Sequence, residues 1–234
     1  MTDSKLDVRG PLRLRPNSLR EQIREQIRRR IQQGEIGPDD RLVDVDLATT
    51  LGVSRMPVRE ALLQLVNEGY LTGTTRGFVL PRLSPQDVRD IFEMRKLLEP
   101  RAAANAARHV TVERFEAMRM ALGRARYAHA AHDGEEVILA TVQFRQAWLS
   151  AEPNWRLAAT IQRFADQVPA VRHGAMRDRA AQTSVIDGLD RLLSAFMRRD
   201  ADAAAALMHT FIEQEESRYV AAQESHHDDV RAAL

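Results

Sequence analysis

No cysteine occurs in the 234 residues, so disulfides, thiolate metal sites and a cysteine nucleophile are excluded, and the chain carries no sign of its redox compartment. No apolar run approaches the roughly 18 residues that a membrane helix needs. The first thirty residues hold no signal-like apolar core, so the expected location is the cytoplasm, with no membrane partner. Lysine is nearly missing as well: only Lys5 and Lys96 stand among 34 basic residues, a bias that genome composition alone can produce. No internal repeat is visible, and no strand pattern appears beyond residue 85. What is present, 44% apolar and 29% charged residues, describes a globular protein long enough for two compact domains or one large one.

The net charge of +1 hides an asymmetry: residues 1–82 carry 14 basic against 11 acidic side chains, and residues 83–234 carry 20 against 22. So small an excess does not by itself predict nucleic-acid binding; placement has to carry that argument. Residues 1–16 lack periodicity and read as a flexible basic tail. Ser18 and Glu21 then form an S-x-x-E capping box, and Leu19, Ile23, Ile27 and Ile31 recur along a one-faced helix that Gly34 closes. After a Gly/Pro/Asp turn, "VDVDLATTLGV" supplies a short helix with Leu47 and Leu51 inward. A third helix starts at Ser54, with Pro57 in its first turn and Ala61, Leu62, Leu65 and Val66 facing a core, and stops at Gly69. "YLTGTTRGFVL" reads as two short strands about a Gly-containing turn. Three helices and a hairpin over 17–80 make a winged helix-turn-helix, followed by a linker at 81–85 whose Ser84 and Pro85 open the next helix. From there to about 225 every segment has helical period, giving an all-helical bundle of about six helices, and 226–234 reads as a frayed tail.

"LGVSRMPVREALLQLVNEGYL", residues 51–71, carries the functional signal. Residues four apart share a helix face, so Arg55 and Arg59 project together from the first turns of the third helix, beside a backbone N-terminus that itself favours phosphate. In a helix-turn-helix this end of the second helix meets base edges in the major groove, and arginine forks onto guanine. Ser54 and the adjacent N–H groups suit phosphate, and Arg76-Gly77 suits a wing over a phosphate or in the minor groove. Two arginines alone read more simply as solvated surface; cap, helix pair and wing together favour DNA.

"GVSRMPVREALLQLVNEGYL" followed by "TRGFVL" closely resembles the DNA-binding domain of the GntR family of bacterial transcription regulators, over about residues 18–80. The resemblance implies operator contacts for Arg55 and Arg59. A third basic residue, common in the family on the preceding helix, is here Val45, which implies fewer base contacts or a different operator preference. "IFEMRKLLEPRAAANAA" is similar to the opening of the all-helical FCD effector domain of the FadR subgroup. Many members of that subgroup hold a divalent metal through an Asp and three His, on which small organic acids dock. The positions that align are Thr141, Arg145, Leu189 and Phe211, a set unable to hold a divalent ion. No metal and no cofactor is therefore expected.

His129 and His132, at a helix end beside Asp133, read as dipole partners rather than ligands; His173 reads as another helix end, and His209 faces away from the aligned position. If Arg145 points inward, its guanidinium needs either a protein carboxylate or the carboxylate or phosphate of an effector. Arg95 matches an arginine that lines the family's pocket. The expectation is a dimeric DNA-binding regulator, a repressor by preference, on a pseudo-palindromic duplex operator. It senses a small organic acid or phosphate-bearing effector through Arg95, Thr141 and Arg145 without a metal. The alternative is an effector-independent dimeric DNA-binding or architectural protein with a vestigial pocket. No nucleophile–base pair, phosphate-cradling loop or metal triad points to an enzyme.

Overall fold

A computed structural model describes residues 18–32, 34–37, 39–166, 176 and 178–232. Its first helix, α1 (Leu19–Gln32), begins at the predicted capping box: the Glu21 N–H donates to Ser18 Oγ at 3.3 Å, and the Ser18 N–H donates to Glu21 Oε2 at 3.2 Å. Ile23, Ile27 and Ile31 are buried. The chain then forms β1 (Arg41–Leu42), α2 (Asp44–Leu51), α3 (Arg55–Asn67), β2 (Thr72–Thr74) and β3 (Gly77–Val79). Gly52 and Gly69, both at positive φ, end α2 and α3, which only a residue without a Cβ does at little cost. Ile23, Ile27 and Ile31 pack with Val58, Leu62, Leu65 and Phe78 into one core.

The hairpin has a strand that sequence reading misses. β1 pairs antiparallel with β3, Arg41 opposite Val79 and Leu42 opposite Phe78, which gives a three-stranded sheet in the order β1-β3-β2. Two residues carry no alternation, so only the tertiary pairing defines this strand. It also explains Gly77. With φ at +134°, a Cβ there would stand 2.6 Å from the Leu42 carbonyl oxygen. Gly77→Ala is expected to cost about 1–3 kcal/mol of strain, seen in thermal unfolding as a loss of stability of the winged-helix part.

Beyond residue 84 the regular elements among the described residues are helices: α4 (Pro85–His109), α5 (Val112–Ala130), α6 (Gly134–Leu149), α7 (Trp155–Asp166), α8 (Arg179–Met197) and α9 (Ala201–Ala232). Ser84 caps α4 in a full capping box with Asp87, and Pro85 is the first residue of the helix. Buried alanines, including Ala102, Ala103, Ala106 and Ala107 of α4 and Ala121, Ala125 and Ala128 of α5, allow close packing around Phe92, Phe144, Leu192, Phe196 and Ile212. This second core shares no residue with the first, and on that ground we propose the division 17–80, linker 81–85 and 86–225. One bound differs from the sequence reading. α9 continues to Ala232, since no Gly or Pro interrupts 201–232 and helix formers sustain it, rather than fraying from 226. α7 is described over Trp155–Asp166; His173 lies outside the described residues.

Candidate DNA-binding surface and effector cavity

Ser54 is the N-cap of α3 with extended backbone, yet its hydroxyl makes no capping hydrogen bond. The first-turn N–H groups, which have no partner within the helix, therefore sit beside an unengaged hydroxyl. Arg55 and Arg59 leave this end on one side and converge on one carboxylate: Arg55 Nε lies 2.9 Å and Arg59 Nη1 3.3 Å from Asp44 Oδ2. Asp44, the first residue of α2, is buried, while the two arginines are more than half exposed. The hydrogen bond from Arg55 lowers the Asp44 pKa, burial opposes it, and the bond from Arg59 and the charges of both arginines lower it further. A buried anion thus anchors two exposed cations whose remaining donors face solvent. Nothing in the sequence marks Asp44, because its role depends on α2 bringing its N-terminus against that of α3. Val45 next to it is exposed and offers no charge. Pro57 lies in the first turn of α3. Arg76 is exposed at the hairpin tip, where Thr74 Oγ1 accepts from its N–H and donates to the Gly77 carbonyl.

In the helical part, Thr141, Arg145, Leu189 and Phe211 all line one cavity, together with Glu99, Phe144 and Trp148 among others. The four aligned positions thus converge, from α6, α8 and α9, on a common space. That space measures about 20 Å³, which is room for about one water. Phe211 occupies part of it by lying against Gly188, where a methyl group would stand 2.6 Å from its ring. Thr141 Oγ1 donates to the Ile138 carbonyl at 2.7 Å.

Arg145 does point inward, and a protein carboxylate answers it. Its Nη1 lies 3.0 Å from Glu99 Oε1, Arg95 Nε lies 2.6 Å from the same oxygen, and Arg95 Nη2 lies 2.6 Å from Glu215 Oε2. Arg95 and Glu99 are almost fully buried. Burial pushes the Glu99 pKa up, but the charges of Arg145 and then Arg95 bring it below the usual carboxylate range. For Glu215 burial again raises the value, and Arg95 and Arg145 lower it overall. Arg95 shows the converse: burial disfavours its charge, and the two carboxylates more than restore it. Glu99 stands four residues after Arg95, a spacing readable in sequence; Glu215, 120 residues away, is not.

The histidines weighed as ligands are engaged elsewhere. His129 contacts Gln182 and Thr183, His132 Nδ1 lies 2.9 Å from Arg179 Nη1, and His209 pairs with Glu213 at 3.4 Å on the surface. Among the described residues no group of three or more His, Asp or Glu is placed to hold a metal ion, and no helix is long and apolar enough to cross a membrane.

Residues 19–77 match the model of the bacterial regulatory proteins of the gntR family, and residues 90–214 match the FCD domain. Among curated relatives, the Nta operon transcriptional regulator of Aminobacter aminovorans is 39% identical over 83 residues, 35% of this chain and 40% of that protein. The HTH-type transcriptional regulator McbR of Escherichia coli (strain K12) is 30% identical over 139 residues, 59% of this chain and 63% of that protein. The matched stretches thus span less than two thirds of these relatives' length. Among solved structures, E. coli McbR/YncC superposes with a TM-score of 0.79 at 24% identity, covering 88% of this chain and 98% of that one. A putative GntR regulator from Rhodococcus sp. RHA1 follows with 0.74 at 21%, covering 88% and 99%; both likenesses concern the fold. Winged helix, helical bundle and both family matches agree over most of the chain: it belongs to the gntR family of bacterial regulatory proteins, in the class that carries an FCD domain, a family of DNA-binding transcriptional regulators and not of enzymes.

Proposed function

We propose that the protein binds a pseudo-palindromic duplex operator as a homodimer and represses transcription from it, under control of a small anionic metabolite sensed without a metal. α3 of each protomer enters the major groove, where Arg55 and Arg59 read base edges. Ser54 and the first-turn N–H groups around Pro57 hold phosphate, and Arg76-Gly77 lies over the neighbouring backbone or minor groove. The observation that carries this reading is the pair of exposed arginines anchored side by side on buried Asp44. Such anchoring limits the rotamer freedom that binding would otherwise remove.

Dimerisation follows from the twofold symmetry of such operators, and α5 supports it by exposing Val112, Met120 and Tyr127 on one side. Light scattering should find a particle of twice 26.5 kDa, and an operator duplex should titrate with two chains. A monomer at micromolar concentration, or one chain per duplex, contradicts the proposal. Treatment with a metal chelator should change neither the unfolding temperature nor DNA affinity.

Thr141, Arg95 and Arg145 are proposed as the effector-facing wall, since Thr141 and Arg145 line the cavity and Arg95 closes the ion network behind it. The alternative, an effector-independent regulator with a vestigial pocket, draws on the small cavity and the internal neutralisation of Arg145. DNA affinity unmoved by every anion tried would carry that alternative.

A further inference from the structure

The charged groups around the cavity do not balance. Arg145, Glu99, Arg95 and Glu215 form one chain of ion pairs, two guanidiniums against two carboxylates. One turn further along α9 stands Arg218, partly buried, a third guanidinium with no carboxylate within 4 Å among the described residues. Its Nη1 donates to Ser184 Oγ on α8 at 3.0 Å. Nε and Nη2 are shut off from water and have no acceptor among the described residues. A charged donor left so is costly. Burial accordingly pulls the Arg218 pKa down, and the Glu215 charge only partly offsets it.

The two unanswered groups are not arbitrary. Nε–H and Nη2–H lie on the same edge of a guanidinium and point in parallel, the fork that matches the two oxygens of a carboxylate. Arg95 uses the same pair of nitrogens on Glu99 and Glu215. The polar atom left unpaired in the cavity wall has the opposite character: Glu99 Oε2 is a buried acceptor and repels an anion.

Resting on the reading of the helical domain as an anion sensor, we propose that the carboxylate of the effector docks on the Nε/Nη2 edge of Arg218, beside Ser184, and not on Arg145. Its apolar body then lies toward Val185 and Leu189, on the same helix as Ser184, and enters the cavity they line only as that water-sized space widens. Because both N–H groups are closed to solvent, a ligand reaches them only by displacing neighbouring side chains. Binding therefore selects an arrangement of α8 and α9 different from the empty one, which is what an effector must do to shift a regulator between states.

The test uses the full chain and two matched probes, hexanoate and the uncharged hexanamide, followed by calorimetry and thermal unfolding. Hexanoate should bind saturably and raise the unfolding temperature, and hexanamide should bind at least tenfold more weakly. Arg218→Gln should weaken hexanoate at least tenfold. Arg218→Lys, which keeps the charge and loses the fork, should weaken it several-fold, so a fold defect in one variant does not decide the outcome. Hexanoate affinity unchanged in both Arg218 variants but lost in Arg145→Gln would overturn this site while leaving the anion-sensing reading intact. No difference between hexanoate and hexanamide on the wild-type chain would overturn both.

Discussion

Glu99→Ala should destabilise the helical domain by about 3–5 kcal/mol, the usual cost of removing one partner from a buried ion pair, with a fall in unfolding temperature on the order of ten degrees. The reason is specific. Glu99 Oε1 accepts from both Arg95 and Arg145, and it is the carboxylate within ion-pair distance of Arg145. Its loss leaves Arg145 without a carboxylate in hydrogen-bonding reach, since Glu215, which also lines the cavity, is held by Arg95. Arg145→Ala should cost less than Glu99→Ala, since Glu99 then retains Arg95, and the double variant should cost less than the sum.

The same network sets an acid limit. Glu99 and Glu215 have pKa values depressed by folding, so the unfolded chain takes up protons first as pH falls. Their stabilising contribution is complete above the unfolded carboxylate range of about 4.3 and disappears as pH drops through the lower folded values. Unfolding followed between neutral pH and about pH 3 should show the wild type losing stability more steeply than Glu99→Ala. Equal slopes would mean that folding does not depress the Glu99 pKa.

The second large effect concerns DNA. Arg59→Ala should weaken specific duplex binding by about 1–3 kcal/mol through loss of a base contact, with the fold intact. The Arg55→Ala/Arg59→Ala pair should leave only the weak, steeply salt-dependent binding that phosphate contacts supply. Asp44 would then be a buried carboxylate without either hydrogen-bonded arginine, so the double variant should also lose some stability at neutral pH. A distinct defect, weaker binding across all sequences, is expected from a change at Arg76 if the wing lies over a phosphate as proposed.

The DNA-binding half was legible because its cues are local. Capping at Ser18, the helix start at Ser54, glycine stops at Gly34, Gly52 and Gly69, and the i, i+4 placement of Arg55 and Arg59 all follow from positions close in sequence. β1 and Asp44 escaped, since a two-residue strand and a carboxylate anchor acquire meaning only from what packs against them. In the helical half, alignment brought Thr141, Arg145, Leu189 and Phe211 to one cavity, and the need for a counter-charge at Arg145 followed from its burial. That Glu99 supplies it, that Glu215 completes the network, and that Arg218 is left over are facts of long-range packing, to which helical periodicity is blind.

Sequence reading by α3 is proposed to run through two arginines held on Asp44. It is tested most directly by selecting bound duplexes from a random pool with the wild-type chain and with Arg55→Ala/Arg59→Ala, at a salt concentration that suppresses non-specific binding. The wild type should enrich a twofold-symmetric sequence with guanine in each half-site, and the variant should enrich none. Recovery of the same sequence by the variant, or of no common sequence by the wild type, would contradict it.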